Sequence, residues 1–304
     1  MPASVAPVVV GVGEVLWDLL PAGKQLGGAP GNFAYHAAAL GARGVVVSRV
    51  GDDDLGREAL GRVKSLGLDP AFITTDPWRP TGTVEVRLDE RGAADYVIHE
   101  RVAWDYIPTT PALLDLAARA DAVCYGTLAQ RAPESRQTIR AFLAATRPDG
   151  CLRVFDINLR QQDYSAALLR DLLPLSHVLK LNDEELPVVA RLLGVAGSGP
   201  AVLRHLLNDH PNLRLIALTR GGRGGVLLTQ RGEEYDHGGF PANVVDTVGA
   251  GDSFTAALVT GLLHPRTPGL SEINAFANRV AAFVCSQPGA TPRMPSELRW
   301  VCGA

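Results

Sequence analysis

A carboxylate stands at the end of a run of small residues in the last third of the chain. The string Asp246-Thr247-Val248-Gly249-Ala250-Gly251-Asp252-Ser253-Phe254 precedes an apolar pattern typical of a helix. Small residues let the backbone turn tightly and direct its N–H groups outward at the positive end of the helix dipole, which predicts an anion site. Asp252 could accept a proton from a hydroxyl there during phosphoryl transfer, or it could be only a favourable residue at a helix N-terminus.

Three further sites combine polar residues with strand ends or helix starts. Gly27-Gly28-Ala29-Pro30-Gly31-Asn32 lets backbone approach a ligand, although Asn32 could be only an N-cap. Asp18 follows the first predicted strand, a position where an exposed acid is usually a solvated turn residue. Asp156-Ile157-Asn158-Leu159-Arg160 ends another strand, where ligands gather in open α/β sheets, although Arg160 could simply pair with a surface acid.

Glycine-rich and acidic strings in the second half are candidates for nucleotide binding. Thr219-Arg220-Gly221-Gly222-Arg223-Gly224 follows a strand and suits close approach to a nucleotide, but it also suits a hairpin turn into Val226–Leu228. Asn182-Asp183-Glu184-Glu185 is, on its own, a helix start stabilised by the dipole. Gly23-Lys24 lacks the earlier glycine of a Walker loop, so the sequence predicts a nucleotide site of another kind.

Short β-branched runs alternate with longer amphipathic stretches along most of the chain. The predicted strands are Val8–Val12, Val45–Val50, Ala122–Tyr125, Arg153–Ile157, His177–Leu181 and Leu213–Leu218. A helical stripe from Asp53 to Leu66 ends before Gly67, a plausible C-terminal cap. This order predicts an α/β fold with a mostly parallel central sheet and helices on both faces.

One segment departs from this alternation and predicts a small β-lid. Thr83–Leu88 and Ala94–Ile98 flank Asp89-Glu90-Arg91-Gly92, which has the chemistry of a hairpin turn. The first strand continues past Gly13 to Leu19 and could pair with that hairpin. We expect one domain over residues 1–304, with a lid formed by segments near 13–26 and 81–107.

Composition favours a globular enzyme and disfavours some partners. The 304 residues are 46% hydrophobic and 20% charged, with a formal net charge of −3, so nucleic acid is not an expected partner. No run reaches the roughly 18 apolar residues of a membrane span, and no basic segment precedes the first apolar run. The four cysteines, Cys124, Cys151, Cys285 and Cys302, lack zinc spacing and are typical of reduced thiols. We therefore expect a cytoplasmic protein without a membrane partner.

The chain from about Val8 to Pro295 resembles the PfkB family of carbohydrate kinases, also called the ribokinase family. The nine-residue string around Asp252 matches the family signature DTxGAGD, and the Gly-Gly string before Asn32 matches its N-terminal signature. The resemblance implies a ribokinase-like three-layer fold and ATP-dependent transfer of a phosphoryl group to a small sugar. It also implies that the Gly249, Ala250 and Gly251 amides form the anion hole and that Asp252 is the catalytic base.

The same resemblance assigns roles to residues on the sugar side and the phosphate side of the site. It implies that Asp18, Gly28 and Asn32 bind sugar hydroxyls, and that Arg160 faces the substrate and the phosphates. Asn182 and Glu185 match the family's NxxE motif, which holds Mg²⁺ and phosphate, with Glu185 acting mostly through water.

On the nucleotide side, the resemblance places ATP phosphates and ribose against Thr219, Gly221 and Gly224, and adenine near Asn278. Many relatives also bind a monovalent cation, so K⁺ is a further expectation at Asp246 and the loop near Gly289.

The choice of substrate and assembly stays open at this stage. The GGAP start at Gly27 looks most like bacterial fructokinases, so fructose is the first expectation. Arg101 and Arg160 leave 2-keto-3-deoxygluconate kinase open as an alternative function, and ribokinase or nucleoside kinase is a further alternative. A hypothesis from a different functional class is that the protein is a non-catalytic, sugar-binding regulator with the same fold. An exposed lid sheet could also pair two copies of the chain as a homodimer.

Overall fold

A computed structural model of the chain describes residues 6–20, 23–88 and 94–300. Its strands, in chain order, are β1 (Val8–Val12), β2 (Leu16–Leu20), β3 (Gly23–Gly27), β4 (Arg43–Gly51), β5 (Ile73–Asp76), β6 (Gly82–Leu88), β7 (Ala94–Ile98), β8 (Ala122–Tyr125), β9 (Leu152–Asp156), β10 (Val178–Asn182), β11 (Leu215–Thr219), β12 (Gly225–Thr229) and β13 (Glu234–His237). Its helices are α1 (Ala29–Ala39), α2 (Asp54–Ser65), α3 (Pro111–Arg119), α4 (Pro133–Ala145), α5 (Ala166–Leu172), α6 (Glu185–Leu193), α7 (Gly199–Asp209), α8 (Ala250–Leu262) and α9 (Leu270–Cys285).

The main sheet has nine strands in the order β13-β12-β11-β10-β9-β8-β1-β4-β5. Its strands are parallel except at one edge, where β11, β12 and β13 pair antiparallel. All six strands predicted from the sequence are present, with ends that differ by at most two residues. The prediction of a mostly parallel sheet is confirmed.

Helices cover both faces of this sheet because successive side chains of each strand point to opposite sides. Val10 packs in a core that includes side chains of α3 to α7, whereas Val9 packs on the other face with α1, α8 and α9. The strands are therefore apolar on both faces, as is usual for buried parallel sheets. None of the helices in the described ranges is both long enough and apolar enough to span a membrane.

Four strands form a small second sheet in the order β3-β2-β6-β7. The predicted hairpin is present as the antiparallel pair β6 and β7, while its predicted turn at Asp89-Glu90-Arg91-Gly92 lies outside the described residues. The expected continuation of the first strand is a separate strand, β2, which pairs parallel with β6. Trp17 fixes β2 to α2, because its Nε1 donates to the Leu55 carbonyl oxygen at 2.9 Å.

Both ends of α2 lie where the sequence predicts them. The helix start predicted at Asp53 is capped by its carboxylate, which accepts from the Gly56 amide at 2.7 Å and from the Thr81 hydroxyl at 2.6 Å. Gly67 follows the end of α2 with a φ of +79°, as expected of a C-terminal glycine.

The cysteines of the described residues are reduced, as predicted. Cys124, Cys151 and Cys285 are free thiols, and Cys302 lies outside the described residues.

Candidate active site

The predicted base and one predicted sugar ligand are in direct contact. Asn32 Nδ2 donates to Asp252 Oδ2 at 2.8 Å, and the two residues lie in the first turns of α1 and α8. Asn32 is not an N-cap, since Gly28 occupies that position. Its Nδ2 points across to α8, and the amide of the first residue of α1, Ala29, donates to Glu14 Oε1 at 3.3 Å. The fold thus joins two strings that lie 220 positions apart in the sequence.

The predicted anion hole forms the beginning of α8. Gly249 is its N-cap with a φ of +79°, a left-handed conformation that strongly favours glycine. A Cβ on Gly249 would lie 2.5 Å from the Ala290 carbonyl oxygen, so the turn is packed tightly against the loop that follows α9. The same carbonyl accepts a 2.8 Å hydrogen bond from Nε2 of buried His36 on α1. Ala290 therefore links α1 to the predicted anion hole.

Glycines allow the other sugar-side residues to approach one another. A Cβ on Gly27 would lie 2.4 Å from Asp18 Oδ2, and one on Gly28 would lie 2.3 Å from the Glu14 carbonyl oxygen. Burial raises the pKa of Asp18, and the positive charge of Arg160 opposes that rise. Asp18 therefore lies beside the Gly27-Gly28 turn and within electrostatic reach of Arg160.

The electrostatic environment of Asp252 suits a carboxylate that takes up a proton. Burial raises its pKa to about 6, and repulsion from Asp156 acts in the same direction. The hydrogen bond from Asn32 and the charges of Lys180 and Arg160 partly offset the rise. A base with a pKa near the working pH is largely ionised and yet binds the proton of the hydroxyl well.

A polar network under the site was not predicted from the sequence. Lys180 Nζ lies 3.0 Å from Asp156 Oδ1, and Thr255 Oγ1 on α8 donates to Asp156 Oδ2 at 3.0 Å. Lys180 interrupts an otherwise apolar buried strand, β10, and that interruption was the available signal. Glu14 is also buried, with its pKa raised to about 7, chiefly by desolvation.

The predicted NxxE residues connect two strand ends. Glu185 Oε1 accepts from the Leu159 amide at 2.9 Å, and its Oε2 accepts from the Asn182 amide at 2.8 Å. Asn182 Oδ1 in turn accepts from the Glu184 and Glu185 amides. Each carboxylate oxygen of Glu185 keeps a second lone pair, which fits an acceptor of hydrogen bonds from magnesium-bound water. No cluster of three or more acidic, His or Cys side chains suited to a metal occurs within the described ranges.

The glycine-rich string after β11 forms both the predicted hairpin and an open backbone surface. Thr219 ends β11, and a short 3₁₀ turn from Gly221 leads to Gly224 before antiparallel β12. A Cβ on Gly224 would lie 2.0 Å from the His237 carbonyl oxygen, so the backbone packs closely there. Gly221 has open space around its Cβ position, where a nucleotide could approach.

Asn278 and Asp246 complete the predicted nucleotide side. Asn278 is buried on α9, and its Nδ2 donates to the main-chain oxygen and the side-chain Oδ1 of Asn274. Only its side-chain oxygen is left for a ligand. Asp246 Oδ2 accepts from the Gly289 amide at 3.1 Å, so the acid and the loop expected beside a monovalent cation do lie together.

Comparisons with known proteins show what this chain is similar to. Residues 22–297 match the model of the family described as "pfkB family carbohydrate kinase". The fructokinase of Escherichia coli is 30% identical over 93% of this chain and 95% of that protein. An uncharacterized sugar kinase from Pyrococcus horikoshii, solved in complex with ATP, is 26% identical with a TM-score of 0.79 over 93% of this chain and 94% of that one. A Xylella fastidiosa fructokinase structure with bound ATP, 22% identical, shares the fold with a TM-score of 0.82 over 96% of each chain.

The family match covers most of the chain and includes the strings whose side chains meet in the site. The resemblance inferred from the two signature strings is therefore confirmed. This chain belongs to the PfkB family of carbohydrate kinases.

Proposed function

We propose that this protein transfers the γ-phosphoryl group of ATP to a hydroxyl of a small sugar, and that fructose is its preferred acceptor. The observation that carries the proposal is the hydrogen bond from Asn32 to Asp252, which joins a sugar-binding helix start to a base beside an anion site. The family match supports the kinase class. The similarity to the Escherichia coli fructokinase supports fructose.

In the proposed mechanism, Asp252 accepts the hydroxyl proton while the sugar oxygen bonds to the γ-phosphorus and the bond to the ADP oxygen breaks. Asn32 orients the carboxylate through the contact already present. Asp18 and Gly28 bind other hydroxyls of the sugar. Amides of Gly249–Gly251 stabilise the charge that develops on the transferring group.

We assign the nucleotide to the surface beside β11 and α9, with its triphosphate directed at the start of α8. The residues assigned to ATP are Asn182, Glu185, Thr219, Gly221, Gly224 and Asn278. Arg160, which is exposed and electrostatically coupled to Asp18 and Asp252, faces both substrates.

Two cations belong to the proposal. Glu185 would hold Mg²⁺ through water, and the ion supplies neutralisation of phosphate charge when bound. Asp246 would contribute to a K⁺ site together with backbone carbonyls of the adjacent loop. The geometry that supports the second site is the contact between Asp246 and Gly289.

We further propose that residues 1–304 form one domain in which the small sheet serves as a lid, built from segments near 13–26 and 81–107. Strands β3 and β7 are the edges of that sheet among the described strands. Because strand edges present unpaired backbone groups, we expect this sheet to be the surface through which a homodimer forms.

The test is ATP-to-ADP turnover with Mg²⁺ and K⁺ against fructose, ribose, 2-keto-3-deoxygluconate, adenosine, glucose and tagatose. A dominant rate on fructose supports the whole proposal. Preference for 2-keto-3-deoxygluconate would contradict fructose as the acceptor but leave the kinase activity supported. Arg101 and Arg160 would then be the candidates for binding its carboxylate. Sugar binding without turnover on any substrate would favour the regulator instead.

The pH dependence of kcat/KM for the sugar provides a first prediction. A carboxylate accepts a proton only when ionised, and Asp252 has a pKa of about 6, so we expect the rate to be full above that pH and lost below it. The measurement is a profile from about pH 4 to about pH 9. A profile that stays flat down to the ordinary aspartate range of about pH 4 would contradict the assignment.

A further inference from the structure

Lys180 is a buried cation directly under the proposed transfer site. It lies in the middle of β10, only 7% of its side chain is exposed, and it forms an ion pair with Asp156. A buried ion pair is weak evidence for stability, because desolvation of both ions offsets their attraction. Its larger physical effect is on neighbouring charges, which interact strongly across a low-dielectric interior.

The position of Lys180 is fixed against the anion hole. A Cβ on Gly251 would lie 3.0 Å from Lys180 Nζ, so the ammonium packs against the backbone that carries the proposed amides. Asp156 holds it there and also accepts from Thr255, one turn after Asp252 in α8. The ion pair and the helix that carries the base are thus parts of one hydrogen-bonded unit.

Charged groups from several neighbouring elements act on Asp252, while α1 supplies the neutral Asn32. Two of them are other carboxylates, Glu14 after β1 and Asp156 on β9, which line the same cavity of about 20 Å³ as Asp252. The Cys124 thiol of β8 also lines it. The opposing cations are Lys180 and the exposed Arg160. Lys180 is therefore the buried positive charge in a group dominated by acids, and it also interacts electrostatically with the acid Glu185.

We infer that Lys180 is a positioning residue for phosphoryl transfer, whose ammonium, held against Gly251 by Asp156, keeps Asp252 in its ionised, proton-accepting form. This inference rests on the proposed kinase function and deepens it. Its physical basis is that a nearby positive charge favours the ionised form of a carboxylate, whereas a nearby negative charge disfavours it.

Two substitutions should move the acid limb of the kcat/KM profile in opposite directions. Lys180→Met removes the cation at similar volume, so we expect the limb to move up by about one pH unit. Asp156→Asn removes the competing anion and leaves the cation, so we expect the limb to move down. A merely structural role would lower the plateau of either variant without moving its limb.

Folding and function are separated by independent measurements. Thermal melting and binding of a non-hydrolysable ATP analogue show whether each variant is folded, and Lys180→Gln removes the cation in a second way if Lys180→Met does not fold. Active variants whose limbs stay at the wild-type pH would overturn the inference. If the wild-type protein shows no turnover, the proposed function fails. The role of Lys180 is then tested by a ¹³C NMR titration of the Asp252 carboxyl group. The Asp252 signal is assigned as the one that is lost in Asp252→Asn. An Asp252 titration unmoved by Lys180→Met would then refute the role.

Discussion

Replacing Asp252 by asparagine is expected to lower kcat by about 10²- to 10⁴-fold, the usual effect of removing a positioned base. The amide has the same shape and can still accept the hydrogen bond from Asn32, but it cannot take up the proton of the sugar hydroxyl. We therefore expect the KM values for sugar and ATP to change little. Steady-state kinetics on the best acceptor sugar measures both quantities.

The matched control for this experiment is Asp54→Asn. Asp54 is also an aspartate in the first turn of a helix, α2, but it is exposed and pairs with Arg57 on the surface. Its substitution should leave kcat unchanged, because exposed ion pairs contribute little. Near-normal turnover by Asp252→Asn would show that another group accepts the proton.

Replacing Gly249 by alanine is expected to reduce kcat by about 10²- to 10³-fold, the effect typical of losing an oxyanion-type donor. Two strains act together. The residue has a φ of +79°, and an added Cβ would lie 2.5 Å from the Ala290 carbonyl oxygen. The turn must shift, and its amides then point away from the transferring group. Stability should also fall by about 1 kcal/mol or more, measurable by urea unfolding.

Gly269→Ala is the corresponding control. Gly269 is the N-cap of α9, but its φ is −65° and no atom lies within 4 Å of an added Cβ. We expect unchanged kcat and a stability loss below about 1 kcal/mol, since alanine is only a poorer cap. Equal kinetic losses in the two variants would mean that the anion hole does not depend on the special turn at Gly249.

Much of this architecture follows from local patterns in the sequence. Val8–Val12 and Ala122–Tyr125 are short apolar runs whose limits match the strands, because a strand buried on both faces needs uninterrupted apolar side chains. The β6–β7 hairpin was predicted from its alternation. The roles assigned to the site residues, by contrast, came from the family signatures and remain predictions until they are tested by substitution.

What the sequence did not reveal depends on distant contacts. Strand β3, with Lys24 and Gln25 at its centre, has no β-propensity of its own and exists because it pairs with β2. The cap at the start of α1 is Gly28, while Asn32 lies within the first turn and donates to a carboxylate 220 positions away. Lys180 likewise has a partner, Asp156, that no local spacing could identify.

Burial of the His36 ring makes the folded protein sensitive to acid, and its hydrogen bond to the Ala290 carbonyl oxygen opposes that effect only in part. A carbonyl accepts only from a ring nitrogen that bears a proton, and burial lowers the pKa of His36 from 6.5 to about 4, so the folded ring is neutral. The unfolded chain binds a proton at His36 near pH 6.5, so the contribution of His36 to stability is fully present above that pH and is lost as the pH falls toward 4. A preparation stored at about pH 5 should inactivate with time, whereas protonation of Asp252 acts at once and reverses on neutralisation.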